Sequence, residues 1–257
     1  MTTMTNQTTP SVAAVILAAG KGSRLKSTTT NKVTIPLGGK PMIQWSVENV
    51  RKAGVEEVVV VVGFARESVQ AILGDTVTYA VEEEQLGTGH ATKIGVDVLA
   101  ADVTQVYIMY GDHSAFYPPS FYRKLLETHR NRGNAMTLVS MMYQNPSELA
   151  WGRIIRNAED DVVAIVEEKE ATEEQKQIQE LNAGLYVFDR KIIDEGYSTL
   201  IPQSGGEYYL TDLVAYCVQR GLRVGAVVAS QHEVGIGVNT PDQKDAATKL
   251  FDQIAAE

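Results

Sequence analysis

Cysteine is nearly missing from this chain: Cys217 is the only one in 257 residues. An intramolecular disulfide is thereby excluded, and no Cys/His spacing suggests zinc. No apolar run approaches the roughly 18 residues needed to cross a membrane. The first ten residues, "MTTMTNQTTP", carry no Lys or Arg, so they do not read as a signal peptide. These absences predict a reduced, cytoplasmic setting. A net charge of −9 argues against unspecific binding to nucleic acid or to an anionic membrane.

Acid is also missing, but only locally. Residues 1–47 contain no Asp or Glu, where a proportional share would be about six. The same segment holds Lys21, Arg24, Lys26, Lys32 and Lys40. An acidic protein with one acid-free basic segment is expected to have a local anion site there.

The remaining sequence alternates between strand and helix patterns. "SVAAVILA" (11–18), the β-branched "EEVVVVVG" (56–63), "TVTYAV" (76–81) and "QVYIMY" (105–110) read as strands. Helical patterns lie between them at 40–54, 65–73 and 89–101, and "PPSFYRKLLETHRNRG" (118–133) carries proline at its start and glycine at its end. Such alternation predicts an α/β, Rossmann-like doubly wound sheet. After residue 134 strands dominate: "NAMTLVSMMY", "WGRIIRN", "DVVAIVEE", "NAGLYVFD" and "RVGAVVA". A hairpin is expected at 153–166, a short acidic helix at 172–180, an amphipathic helix at 207–221, and a terminal helix capped by Thr240. The expected organisation is a disordered tail at 1–11 and a single domain at 12–257. Its first half, about 12–134, is of nucleotide-binding type, and a mixed-sheet half lies over it.

The segment "LAAGKGSRLKSTTTNK" (17–32) follows the first strand. It lacks the G-x-x-x-x-G-K-[ST] of a P-loop. It also places Leu25 where a dinucleotide fingerprint needs its third glycine or alanine. What remains is a glycine turn whose free backbone N–H groups can form an anion nest. Arg24 can fork onto two phosphate oxygens, and Lys32 can add a point charge. This pattern suits a triphosphate whose pyrophosphate end leaves, with both cations stabilising the charge that builds. Asp112 ends a buried strand, where doubly wound sheets bind ligands; "YGD" by itself reads more readily as a strand-end turn. "VEEKE" around Glu167 reads first as a solvated charge run. The four histidines show no metal or triad spacing; His113 and Cys217 are expected to be structural.

Several motifs then occur in order. "LAAGKGSRL" is followed by a lysine and "GGKPM", then "EQLGTGHA" (84–91), "YGD" (110–112), "WGRI" (151–154), "IVEEKEATEEQKQIQELNAG" (165–184), "GEYYLTD" (206–212) and "GVN" (237–239). The set resembles the sugar-nucleotide pyrophosphorylases (nucleotidyltransferases). Within them it is most similar to the uridylyltransferase domain of the bacterial bifunctional N-acetylglucosamine-1-phosphate uridylyltransferase/glucosamine-1-phosphate acetyltransferases. The similarity runs from about residue 12 to residue 239.

The resemblance implies a fold of the nucleotide-diphospho-sugar transferase type and a definite reaction. A nucleoside triphosphate, UTP first, and a sugar-1-phosphate such as N-acetylglucosamine-1-phosphate would give a nucleotide-sugar and pyrophosphate. It implies that Leu17, Ala18, Ala19, Gly20 and Gly22 line the nucleotide, with Gly87, Thr88, Tyr110 and Gly111. Arg24, Lys32 and Asp112 would be catalytic, Asp112 and Asn239 would hold Mg²⁺, and Gly152, Glu167 and Asn182 (in the half about 135–257) would bind the sugar. The sequence has no hexapeptide repeats, so no acetyltransferase domain is expected in it, and homo-oligomerisation stays open. Glu82 stands where these enzymes have a glutamine that contacts uracil. A glutamine amide both donates and accepts; an ionised carboxylate only accepts. Two carboxylate oxygens match guanine N1–H and N2–H₂, so GTP or CTP remains an alternative, as does a cytidylyltransferase acting on a non-sugar phosphate or phosphonate. A catalytically silent nucleotide-sugar-binding subunit is a third reading, disfavoured because Arg24, Lys32, Asp112 and Asn239 are all retained.

Overall fold

A computed structural model describes residues 11–22, 29–238 and 240–256. Arg24 and Asn239 therefore lie outside the described residues. The elements in order are β1 (Ser11–Ala18), short β2 (Pro36–Leu37) and β3 (Lys40–Pro41), α1 (Met42–Lys52), β4 (Glu57–Val62), α2 (Arg66–Leu73), β5 (Thr78–Val81), α3 (Thr88–Asp97) and β6 (Val103–Tyr110). They continue with α4 (Pro119–Arg132), β7 (Met136–Met142), β8 (Arg153–Arg156), β9 (Val162–Val166), β10 (Glu180–Asp189), α5 (Arg190–Gly196), α6 (Leu213–Gln219), β11 (Val224–Ala229), α7 (Gln231–Val234) and α8 (Pro241–Ala256).

One sheet runs β11-β7-β10-β6-β1-β4-β5, with β8 and β9 branching from β10. β1 pairs in parallel with β4 and β6, and β4 with β5. β10 runs antiparallel between β6 and β7. The expected doubly wound, mixed sheet is thus present. Its two halves are not stacked, however: they share one sheet, because β10 from the second half inserts beside β6 of the first. Ser11, counted with the tail in the sequence reading, is the first residue of β1 and pairs with Val103.

Alternation along the central strands divides the core into two layers. Ala13 and Val15 of β1, with Val59 and Val61 of β4, face one layer. Ala14 and Ile16, with Val58, Val60 and Val62, face the other. Helix α3 approaches the first layer so closely that a Cβ on Gly95 would lie 2.8 Å from Val61. Two expected helices differ. Residues 172–180 make only a 3₁₀ turn, Gln175–Gln177. In 207–221 the α-helix starts at Leu213, because the backbone of Tyr208 is engaged by the loop before α3: Tyr208 N–H donates to Leu86 O (2.7 Å), and Gly89 N–H to Tyr208 O (2.7 Å). At the C-terminal end, α8 is capped as expected, with Gln243 N–H donating to Thr240 Oγ1 (3.2 Å). It packs Phe251 against Trp45 and Phe116.

Candidate active site

Parallel strands that end together leave their last residues on one rim, and β10 begins on that same rim because it runs the opposite way. Leu17, Tyr110, Asp112 and Asn182 are brought together by this topology. They border a cavity of about 310 Å³ that is also lined by Gly20, Lys32, Thr88, Gly152 and Glu167.

The glycine turn is held from behind by Asn31, a residue the sequence reading passed over. Asn31 is 1 % exposed, and its Nδ2 donates to Ala18 O (2.7 Å) and Phe64 O (3.0 Å). Its Oδ1 accepts from Val33 N–H (3.2 Å), capping the short 3₁₀ turn Lys32–Thr34. Lys32 is thereby aimed into the cavity, where its Nζ pairs with Asp112 Oδ2. Burial works to raise the Asp112 carboxyl, but the Lys32 ammonium beside it prevails and holds it below its ordinary value. Gly22 is needed for this approach: its φ is +55°, and a Cβ there would lie 3.1 Å from Lys32 Cδ. Ala18 and Ala19 are buried under the turn. Gly111 ties the two strand ends together, its N–H donating to Leu17 O (3.0 Å).

Across the cavity, Gly152, Glu167 and Asn182 converge. A Cβ on Gly152 would lie 3.6 Å from Glu167 Oε1 and 3.5 Å from Asn182 Cβ. "VEEKE" is therefore not a uniformly solvated run. Burial pushes the Glu167 carboxyl up, and Thr211 Oγ1 donates to its Oε1 (3.0 Å). Asn182 Nδ2 donates to the Tyr186 hydroxyl (2.6 Å), which lies 3.4 Å from the Tyr110 hydroxyl. His113 lines the cavity with its ring 4.7 Å from Trp151, and burial pushes it down to about 4, so it is neutral at pH 7.

A second residue the sequence reading missed is Arg153. Its side chain is fully buried at 0 % exposure. Its guanidinium donates to Pro146 O (3.0 Å), Leu149 O (3.3 Å), Lys176 O (3.4 Å) and Trp151 O. It gathers the loop that carries Ala150, Trp151 and Gly152 into the cavity wall. The only signal in the sequence is a cation opening an apolar strand, "RII". Two other sequence-derived residues stand behind the wall. Gly87 has φ +100° and passes so close to Tyr208 that a Cβ would meet its carbonyl at 2.6 Å. Glu82 is buried, and its Oε1 lies 2.8 Å from His90 Nδ1. Cys217 is a buried free thiol in the core, and burial pushes it up to about 11.

A strand-end turn, a cation paired with a strand-end carboxylate, and an opposing polar wall make one cleft. This chain belongs to the nucleotidyl transferase family, whose model matches residues 13–235. It is 42% identical over 238 residues to the bifunctional protein GlmU of Caldanaerobacter subterraneus subsp. tengcongensis, covering 92% of this chain and 51% of that one. It is 38% identical over 227 residues to the GlmU protein of Acholeplasma laidlawii, covering 88% and 48%. The chain thus spans about half the length of the curated relatives it matches. Its fold is shared with a crystal structure from Bacillus anthracis, of a protein itself proposed to be a glucose-1-phosphate thymidylyltransferase, in complex with a sucrose. That likeness has a TM-score of 0.78 at 22% identity and covers 94% of this chain and 95% of the other. Among the described residues, no helix is long and apolar enough to cross a membrane.

Proposed function

We propose that this chain is a sugar-1-phosphate nucleotidyltransferase, transferring a nucleotidyl group from UTP to N-acetylglucosamine-1-phosphate or a similar hexose-1-phosphate. The observation that carries the reading is the meeting of Lys32–Asp112 with Gly152, Glu167 and Asn182 in a single cleft. An oxygen of the sugar phosphate attacks the α-phosphorus. The bond from the α-phosphorus to its bridging oxygen breaks, and pyrophosphate leaves. The turn at Leu17–Gly20 accommodates the nucleotide. Lys32, together with Arg24, offsets the charge that develops on the departing oxygens. Glu167 and Asn182 orient the sugar hydroxyls, and Gly152 leaves room for the ring.

Asp112 is a carboxylate kept ionised at the rim of the cleft, a hard oxygen donor. It fits a cation such as Mg²⁺, which takes one or two protein oxygens and fills its shell from water and phosphate. Asp112, with Asn239, would hold it, and when bound it would neutralise part of the triphosphate charge. The test is pyrophosphate release with each NTP against a panel of sugar-1-phosphates, Mg²⁺ present. UTP with N-acetylglucosamine-1-phosphate is expected to give the highest kcat/KM. Silence across the panel rejects the proposal.

A further inference from the structure

Glu82 departs from the resemblance at the position that would touch the base, and its surroundings assign it another task. It follows β5 on the rim of the sheet, where its N–H donates to Val62 O (2.8 Å). Its side chain is turned inward and only 4 % exposed. One carboxylate oxygen is taken up by His90 Nδ1 at 2.8 Å. His90 stands on the first turn of α3, so this contact closes the ends of the loop at 82–90 onto each other. The same loop is also held by residues 208–210: Leu86 O accepts from Tyr208 N–H, Gly89 N–H donates to Tyr208 O, and Thr88 Oγ1 accepts from Leu210 N–H (3.0 Å). Thr88, itself held by the second clamp, lines the cleft, whereas Glu82 and His90 do not. A carboxylate with one oxygen on His90 no longer offers the two-oxygen edge that would match guanine N1–H and N2–H₂.

We infer that Glu82 is a positioning residue, which through His90 closes the 82–90 loop and sets Thr88 against the nucleotide, and that it does not select the base. This rests on the nucleotidyl-transfer reading above. Removing either partner frees the loop and weakens every nucleotide alike. A glutamine at 82 keeps an acceptor oxygen for the imidazole N–H and preserves the clamp.

The test compares E82A, H90A, E82A/H90A and E82Q. E82A and H90A are each expected to raise the KM for every accepted NTP by about tenfold while kcat changes by less than about threefold. The double variant should be no worse than E82A, since the His90 contact is already lost with the Glu82 carboxylate. E82Q should restore KM and keep the ratios of kcat/KM among UTP, CTP and GTP. A tenfold change of those ratios in E82Q overturns the inference and makes Glu82 a base reader. A KM untouched by E82A overturns it too. Amide hydrogen exchange at Leu86 and Gly89, measured without ligand, reads the clamp whether or not the chain turns over. It should quicken in E82A and H90A and return in E82Q, and unchanged exchange refutes the clamp. Inactivity of the unaltered chain with all nucleotides would instead reject the proposed function and leave the exchange result standing.

Discussion

Arg153 holds a full positive charge with no carboxylate partner among the hydrogen bonds described for it, answered by main-chain carbonyls from two loops. Carbonyl dipoles replace its hydration shell, and apart from Pro146 O, which also accepts from Leu149 N–H (3.2 Å), they take their donor from the guanidinium. Arg153→Met keeps the volume but strands those carbonyls. It is expected to cost about 2–4 kcal/mol in urea unfolding. In the enzyme it should raise the KM for the sugar phosphate more than that for the NTP, because the loop it braces carries Trp151 and Gly152. Glu167 leads to a pH dependence. Burial raises its carboxyl above the ordinary glutamate range, so the folded chain keeps that proton to higher pH than the unfolded chain does. Stability from this group falls as pH climbs from the ordinary value through the raised one. Glu167→Gln should flatten that decline in unfolding titrations that run upward from the ordinary glutamate range. It should not abolish it, since burial also raises Glu82 and Asp212. The same variant should lower kcat/KM by about tenfold or more if the carboxylate orients the sugar.

Helix α3 connects the two sides of the site. Its N-terminal loop is paired with Tyr208, Thr88 faces the cleft, and Gly95 lets its body lie against β1 and β4. Gly-to-Ala in a helix is normally favourable by up to about 1 kcal/mol. At Gly95 the new methyl meets Val15 and Val61, where overpacking costs about 1–3 kcal/mol. Gly95→Ala is therefore expected to destabilise, read as a lower urea midpoint with an unchanged m-value. It should also raise the NTP KM, since displacement of the helix moves Thr88. The helix was legible from residues 89–101 through its apolar spacing. Its late partner at 207–209 was not: "EYYLTD" has a helical pattern, and only the distant Leu86–Gly89 backbone draws it into extended pairing.

At the scale of the molecule, the two halves share a sheet and a core. One cluster joins Val15 and Val61 from the first half to Tyr186, Leu213 and Cys217 from the second. Unfolding by urea is expected to be a single transition, with far-UV circular dichroism and tryptophan fluorescence coinciding. Two separated transitions would show that the halves are independent. A matching nucleotide at about a hundred times its Kd should add about 2.7 kcal/mol of apparent stability, readable as a rise in Tm with UTP and Mg²⁺ together.

The sequence by itself determined what depends on neighbours along the chain. Strand and helix periodicities, the glycine turn at 17–22, the punctuation of α4 and α8, and the ordered motifs that carry the family resemblance are all local patterns. Periodicity is set by backbone geometry within a few residues, so it survives reading in one dimension. Tertiary structure decided everything that depends on which strand lies beside which. It placed β10 between β6 and β7, carrying Asn182 to the rim beside Asp112. It half-buried Glu167 within an outwardly solvated charge run, turned Glu82 from the cleft toward His90, and made Asn31 and Arg153 the braces behind the two walls. No pattern along the chain encodes those partners, because a polar side chain's role is set by whichever groups burial leaves within hydrogen-bonding reach.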